Sequence, residues 1–295
     1  MKQLFKLIFV LIVGIANCAP FAHSQTSFKL TKKNGHYYTT ANINGNVDVP
    51  VIVETGSHGM VLSHDLYNKI LASGNLEEIT LDKDATLKTD RAPRKIVKLL
   101  KGSVPVGDLT YNGRVYVVDS TDNYVILPVN LLKNESDTTA VLIRFDFKKN
   151  MLDFIRHADV RLDKMHTYTL VENDPMPVFQ ANMELSDALG HQLTMSGKFN
   201  FALGCGSPVF FFRNTMLPVL KKNKFKIQNS TDKSFNAVGK GIYAGYCKIG
   251  EKSNTGISIG ITNQVWDTDE LGCVGPSFFK NGTVILDSDN NLIYY

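Results

Sequence analysis

Short apolar runs, some alternating with polar residues, recur along the whole chain: Tyr37–Ile43, Val49–Val53, Lys95–Leu100, Arg114–Val118, Val141–Phe147, Phe199–Leu203, Val209–Phe212, Ile257–Ile261 and Val284–Leu286. They are rich in Val, Ile, Phe and Tyr, whose branched or flat side chains suit a pleated surface, and they are broken by Gly, Asn and Asp. Asn44-Gly45, Asn112-Gly113 and Asn281-Gly282 read as tight turns. Helical patterning is confined to patches around Ser63–Ala72, Leu131–Lys133 and Asn214–Lys222. The pattern predicts a mainly β protein.

The runs also repeat in order. Val51-Ile-Val-Glu-Thr-Gly-Ser57 lies over Phe201-Ala-Leu-Gly-Cys-Gly-Ser207, an apolar strand entering x-x-Gly-Ser and followed by a second apolar run. Val125–Lys133 lies over Gly272–Lys280, and the strand-turn-strand Arg144–Phe154 lies over Ile285–Tyr295. The offsets, 204 − 54 = 150, 275 − 128 = 147 and 287 − 146 = 141, drift slowly, as a few loop insertions would make them. Two related halves are therefore expected, residues 25–160 and 161–295, with the polar stretch His157–Pro175 between them.

An apolar strand ending in Asp-Thr/Ser-Gly-Ser/Ala, then a second apolar strand, then an apolar-apolar-Gly before a short helix, is the signature that Val51–Leu62 and its downstream partner resemble. The chain is similar in this respect to the aspartic peptidases, in pepsin-like bilobal form or as fused retropepsin-like units, from about Lys29 to Tyr295. The resemblance implies a two-lobed acid-protease-like β-barrel fold with pseudo-twofold symmetry and a cleft between the lobes. It also implies a reaction in which two carboxylates, one per lobe, share a proton. Glu54 stands where the first Asp belongs and Gly204 where the second belongs. One carboxylate cannot form a shared-proton dyad. Cys205 replaces the second bracing Thr and Pro128 replaces the first of the paired Gly residues, whereas Thr55, Gly56, Ser57, Gly206, Ser207 and Gly275 are retained.

The leading expectation is a secreted aspartyl-protease-like protein that has lost standard catalysis and binds a peptide or protein between its lobes. Two alternatives stand beside it: an endopeptidase still working through Glu54, and a non-catalytic assembly module of the cell envelope. His58, four residues past Glu54, suggests a His-Glu base pair, and Cys205 with His58 or His191 suggests a cysteine hydrolase. Asp48 or Asp287 would revive the dyad by moving into the vacant position. Ile96–Val118 falls where the family places the flap that closes over substrate.

Length and composition agree with two modest cores: 295 residues, 43% hydrophobic and 20% charged, exclude disordered, collagenous and polytopic classes. Residues 1–24 read as a secretory signal, with Lys2 and Lys6 before an apolar stretch and Ala22-His23-Ser24 at its end. An exported protein, periplasmic or extracellular, is expected, with lipidation at Cys18 the less favoured route because Asn17 precedes it. Losing the signal removes 2 of the 32 basic residues and none of the 28 acidic ones, leaving +2, and no basic stripe marks a nucleic-acid partner. Three cysteines would remain, and Cys247 with Cys273 is the expected disulfide because both lie in one half. The histidines show no metal-ligand spacing, so no metal and no cofactor is expected. No later segment is long enough to cross a membrane, and oligomeric state is left open.

Overall fold

The computed structural model describes residues 27–295 except 34, 73–75, 83, 88–92, 135–140, 174–175, 206, 230–237, 263–267 and 281. The expected signal at 1–24 and Cys18 lie outside the described residues. The first half holds β1 (Ser27–Lys29), β2 (Thr31–Lys33), β3 (His36–Ile43), β4 (Asn46–Glu54), β5 (Met60–Ser63), α1 (His64–Ile70), β6 (Glu77–Ile79), β7 (Thr86–Leu87), β8 (Arg94–Val106), β9 (Leu109–Val118), β10 (Val125–Pro128) and β11 (Leu132–Lys133). Next come β12 (Val141–Asp146), β13 (Met151–Arg156) and β14 (Thr167–Glu172). The second half holds β15 (Val178–Asp187), β16 (Gln192–Phe201), β17 (Val209–Phe211), α2 (Arg213–Lys222), β18 (Gln228–Asn229), β19 (Val238–Ile249), β20 (Lys252–Thr262), β21 (Gly272–Val274), β22 (Thr283–Asp287) and β23 (Leu292–Tyr294).

The same pairing unit occurs in each half. In the first, β10 runs parallel to β4 and antiparallel to β5, and β5 runs parallel to β9. In the second, β21 runs parallel to β16 and antiparallel to β17, and β17 runs parallel to β20. Each unit ends its outermost parallel strand in a loop at the junction of the halves, β4 in Glu54 and β16 in Phe201. The fold is mainly β and two-lobed, as the repeat anticipates.

The lobes share a sheet. Strands β1, β13, β12, β22, β23 and β14 lie side by side, so that β12 of the first half pairs with β22 of the second. The turns closing the two hairpins of this sheet place Asn150 and Asn291 at positive φ, 141 positions apart, as the alignment of Arg144–Phe154 with Ile285–Tyr295 requires. His157–Pro175 is not a free linker. Val160, Leu162 and Met165 from it cover Leu142, Ile155 and Ile285 on the sheet's outer face, and β14 extends the sheet itself. On the inner face an aromatic column crosses from half to half. Tyr37 meets Phe147, Phe147 stacks on Phe145, Phe145 meets Phe201 edge-on at 5.8 Å, and Phe201 meets Phe279 at 5.9 Å. Such ring pairs contribute about 0.5–1.5 kcal/mol each beyond their buried area, and they fix the height of the loop that follows Phe201.

Turn chemistry explains one success and one correction. Asn44 and Gly45 both take positive φ and close β3 onto β4, the geometry a two-residue hairpin needs. Asn112-Gly113 is not a turn but lies within β9, opposite Gly102 and Ser103. A Cβ on Gly113 would fall 2.6 Å from the Tyr111 hydroxyl, so this glycine makes room for a ring. That hydroxyl donates to Arg114 O and accepts from Met60 N, tying β9 to β5. The true turn is at Gly107, φ +60, and it is docked. Asn44 N donates to Pro105 O, and Gly107 N donates to Asn42 O. The tip of the β8–β9 hairpin is thus fastened to the β3–β4 turn, contrary to the flap expected for Ile96–Val118.

Candidate functional site

Val51, Ile52 and Val53 are buried along β4, so the strand is held to its last residue and Glu54 emerges partly exposed where β4 lies in register with Pro128. The chain then turns through Thr55-Gly56-Ser57. Thr55 is completely buried. Its Oγ1 donates to Phe201 O at 2.7 Å and accepts from Leu203 N at 3.1 Å, two bonds that cross from one lobe to the other. Ser57 closes the turn locally by donating to Gly59 O at 2.6 Å.

Glu54 crosses the same junction. Its Oε1 accepts from Thr55 N at 2.9 Å, Gly56 N at 3.1 Å and, 150 residues away, Gly204 N at 3.0 Å. Oε2 has no hydrogen-bond partner among the described residues. It lies only 1.9 Å from the point that a Cβ on Gly204 would occupy. Glutamate reaches one methylene further than aspartate, and the extra reach carries its carboxylate into the space of a side chain at 204.

The second loop is braced differently. Cys205 is buried and donates its thiol to Ser207 O at 3.2 Å, within its own loop. Gly206 lies outside the described residues, and Ser207 is buried. Gly275 packs beneath the loop: a Cβ there would fall 2.5 Å from both Cys205 O and Ser207 O. The smallest residue is obligatory at that contact because backbone oxygens, unlike side-chain ends, cannot swing away.

The other candidates separate. Asp48 is exposed near the start of β4, at positive φ. Asp287 is 1% exposed but accepts from Asn290 N and Nδ2 and faces His157 Nε2 at 3.1 Å. Neither acid stands beside Glu54. His191 bonds Asp187 at 2.9 Å ahead of β16, whereas Cys205 follows the far end of that ten-residue strand, so the two cannot form a catalytic pair. Burial, with Arg114 adding to it, lowers the His58 pKa and favours neutral imidazole.

The expected Cys247–Cys273 disulfide is not formed, and none of Cys205, Cys247 and Cys273 is in a disulfide. Cys247 lies on β19 and Cys273 on β21, and by either route through the sheet two strands intervene. That separation is roughly 14 Å along the sheet, twice what a disulfide spans. Burial pushes the Cys247 thiol up to about 12 and the Cys273 thiol well above its ordinary value, so neither is a ready nucleophile. The negative charges of Glu270 and Glu54 also reach Cys273.

Glu270 is a buried acid that sequence reading missed. It accepts from Asn200 Nδ2 at 2.5 Å, and its burial raises its pKa. Nothing in Thr268-Asp269-Glu270 announces this, because the partner comes from the neighbouring β16. Among the described residues, no group of three or more His, Cys, Asp or Glu side chains is arranged to hold a metal. An open depression lined by Ser27, Phe28, Lys29, Thr31, Tyr38, Thr39 and Thr40 shares no residue with the Glu54 loops.

No protein-family model and no curated protein matches the chain. Among solved structures it resembles an aspartic proteinase from Irpex lacteus, at 10% sequence identity and a TM-score of 0.54, over 92% of this chain and 96% of that one. At this identity the likeness shows an aspartic-proteinase fold.

Proposed function

We propose that the chain is an exported, aspartic-protease-fold protein without standard proteolytic catalysis that holds a peptide or protein segment between its lobes. The observation that carries the loss of catalysis is the Glu54–Gly204 geometry. The junction offers one carboxylate, and its Oε2 sits 1.9 Å from where a second side chain would begin. Peptide hydrolysis in this fold needs one ionised and one protonated carboxyl together, and among the described residues no second carboxyl stands beside Glu54, whose Oε2 takes up the place of a side chain at 204. Retention of a binding role is supported by the Thr55 brace and the Gly275 packing, which keep both loops formed around an empty chemistry.

The test compares wild type, Glu54→Gln and the double change Glu54→Asp with Gly204→Asp on an unfolded protein substrate across acid to neutral pH. Wild type is expected to be silent. The double change removes the long side chain before adding the second carboxyl, so it is the only one of the three in which cleavage is expected. Strong wild-type cleavage abolished by Glu54→Gln overturns the reading in favour of a working single-carboxylate enzyme. Export is checked separately: the intact mass of the secreted chain should begin near Gln25, and a lipid adduct on Cys18 would reverse that part.

A further inference from the structure

The two oxygens of Glu54 are in unlike states. Oε1 is saturated by three backbone N–H groups, two from its own loop and one from the opposite lobe. Those donors are neutral, so they orient the carboxylate without cancelling its charge. Oε2 accepts from none of the described groups, and no described ion pair involves Glu54, although the residue is partly exposed. Its charge reaches Cys273, whose thiol burial keeps neutral at ordinary pH, and His58, four residues on, is favoured in its neutral form by burial and by the charge of Arg114. A carboxylate held by one oxygen, with no described partner on the other, is complementary to a cation that brings its own proton donors.

We infer that Glu54 Oε2 is the recognition point for a lysine side chain of the bound peptide, an inference that rests on the binding role proposed above. Lysine fits better than arginine for a geometric reason. A guanidinium gains most from two parallel bonds to both oxygens of a carboxylate, and Oε1 is already occupied. A compact ammonium needs only one oxygen and offers its remaining protons to water or to nearby carbonyls.

The test titrates the isotopically labelled protein with three capped hexapeptides that differ only in a central lysine, norleucine or arginine. The lysine peptide should bind about tenfold more tightly than the norleucine peptide, as a charge-assisted bond over a neutral contact implies. It should also bind more tightly than the arginine peptide, and shift the amide signals of Gly56 and Gly204. In Glu54→Gln, whose carboxamide oxygen still accepts the three amides, the lysine preference should vanish while norleucine binding persists. If that variant fails to fold, the salt dependence of wild type decides, because the lysine preference should shrink as salt rises. Equal binding of lysine and norleucine peptides overturns the inference and leaves the binding role standing. Binding by none of the three overturns both.

Discussion

The loop after β4 and the loop after β16 occupy matching places in the two lobes but differ in how they are held. The first acts outward: Thr55 makes two bonds into the opposite lobe, and Glu54 makes a third. The second receives these bonds, while its own bracing position, Cys205, turns its weak thiol donor back onto Ser207 O. Beneath them the asymmetry reverses. Gly275 is wedged against two carbonyl oxygens of the second loop, whereas the first lobe accommodates the larger Pro128 beside Glu54. Two matching loops thus have an active and a passive side. The lesson is that the residues at 54 and 204 are not independent, since the side chain of one takes up the volume that a side chain on the other would need.

The largest effect should come from the wedge. Gly275 has an ordinary φ of −94°, so only space is at issue. Gly275→Ala should cost about 3 kcal/mol or more because backbone must move, against about 1 kcal/mol for Pro128→Ala. Urea unfolding of the two variants reads the difference, and equal costs would remove the asymmetry beneath the loops.

Next comes the shared volume. Gly204→Ala should destabilise wild type by about 2 kcal/mol by prising the carboxylate off its three amides, and by less than about 1 kcal/mol when Glu54 is already Ala. The coupling in that double-mutant cycle is the quantity of interest. Additive effects would mean that Glu54 swings aside freely.

A smaller contrast separates the two braces. Thr55→Val leaves Phe201 O and Leu203 N without their partner in the interior and should cost about 1.5–2 kcal/mol, whereas Cys205→Ala, which loses the weak thiol bond to Ser207 O, should cost about 1 kcal/mol. The reverse order would make the second loop the active partner. The smallest effect is a null one. Because none of the three described cysteines is in a disulfide, a thiol reductant should leave the unfolding midpoint in place, and a fall of the size expected for a lost disulfide, about 2–4 kcal/mol, would contradict that geometry.

What the sequence determined by itself was periodic and ordered. Strands such as Val49–Val53 and Val209–Phe212 follow from branched and aromatic side chains in runs, the Asn44-Gly45 turn from its need for positive φ, and the two-lobed fold from the order of the repeated motifs. Glu54 and Gly204 were legible as matching positions because each stands inside a frame that recurs at an offset of 150. Other features depended on contacts that no local pattern records. Gly113 reads as a turn until Tyr111 is seen filling its space, and Cys247 and Cys273 read as a pair until two strands are seen between them. Glu270 is an ordinary loop acid until Asn200 and burial act on it. Only the tertiary structure decided that the Glu54 carboxylate lies where a side chain at 204 would begin. The atoms involved are 150 residues apart, and whether they clash or complement one another depends on ångström-scale distances set by packing across the junction.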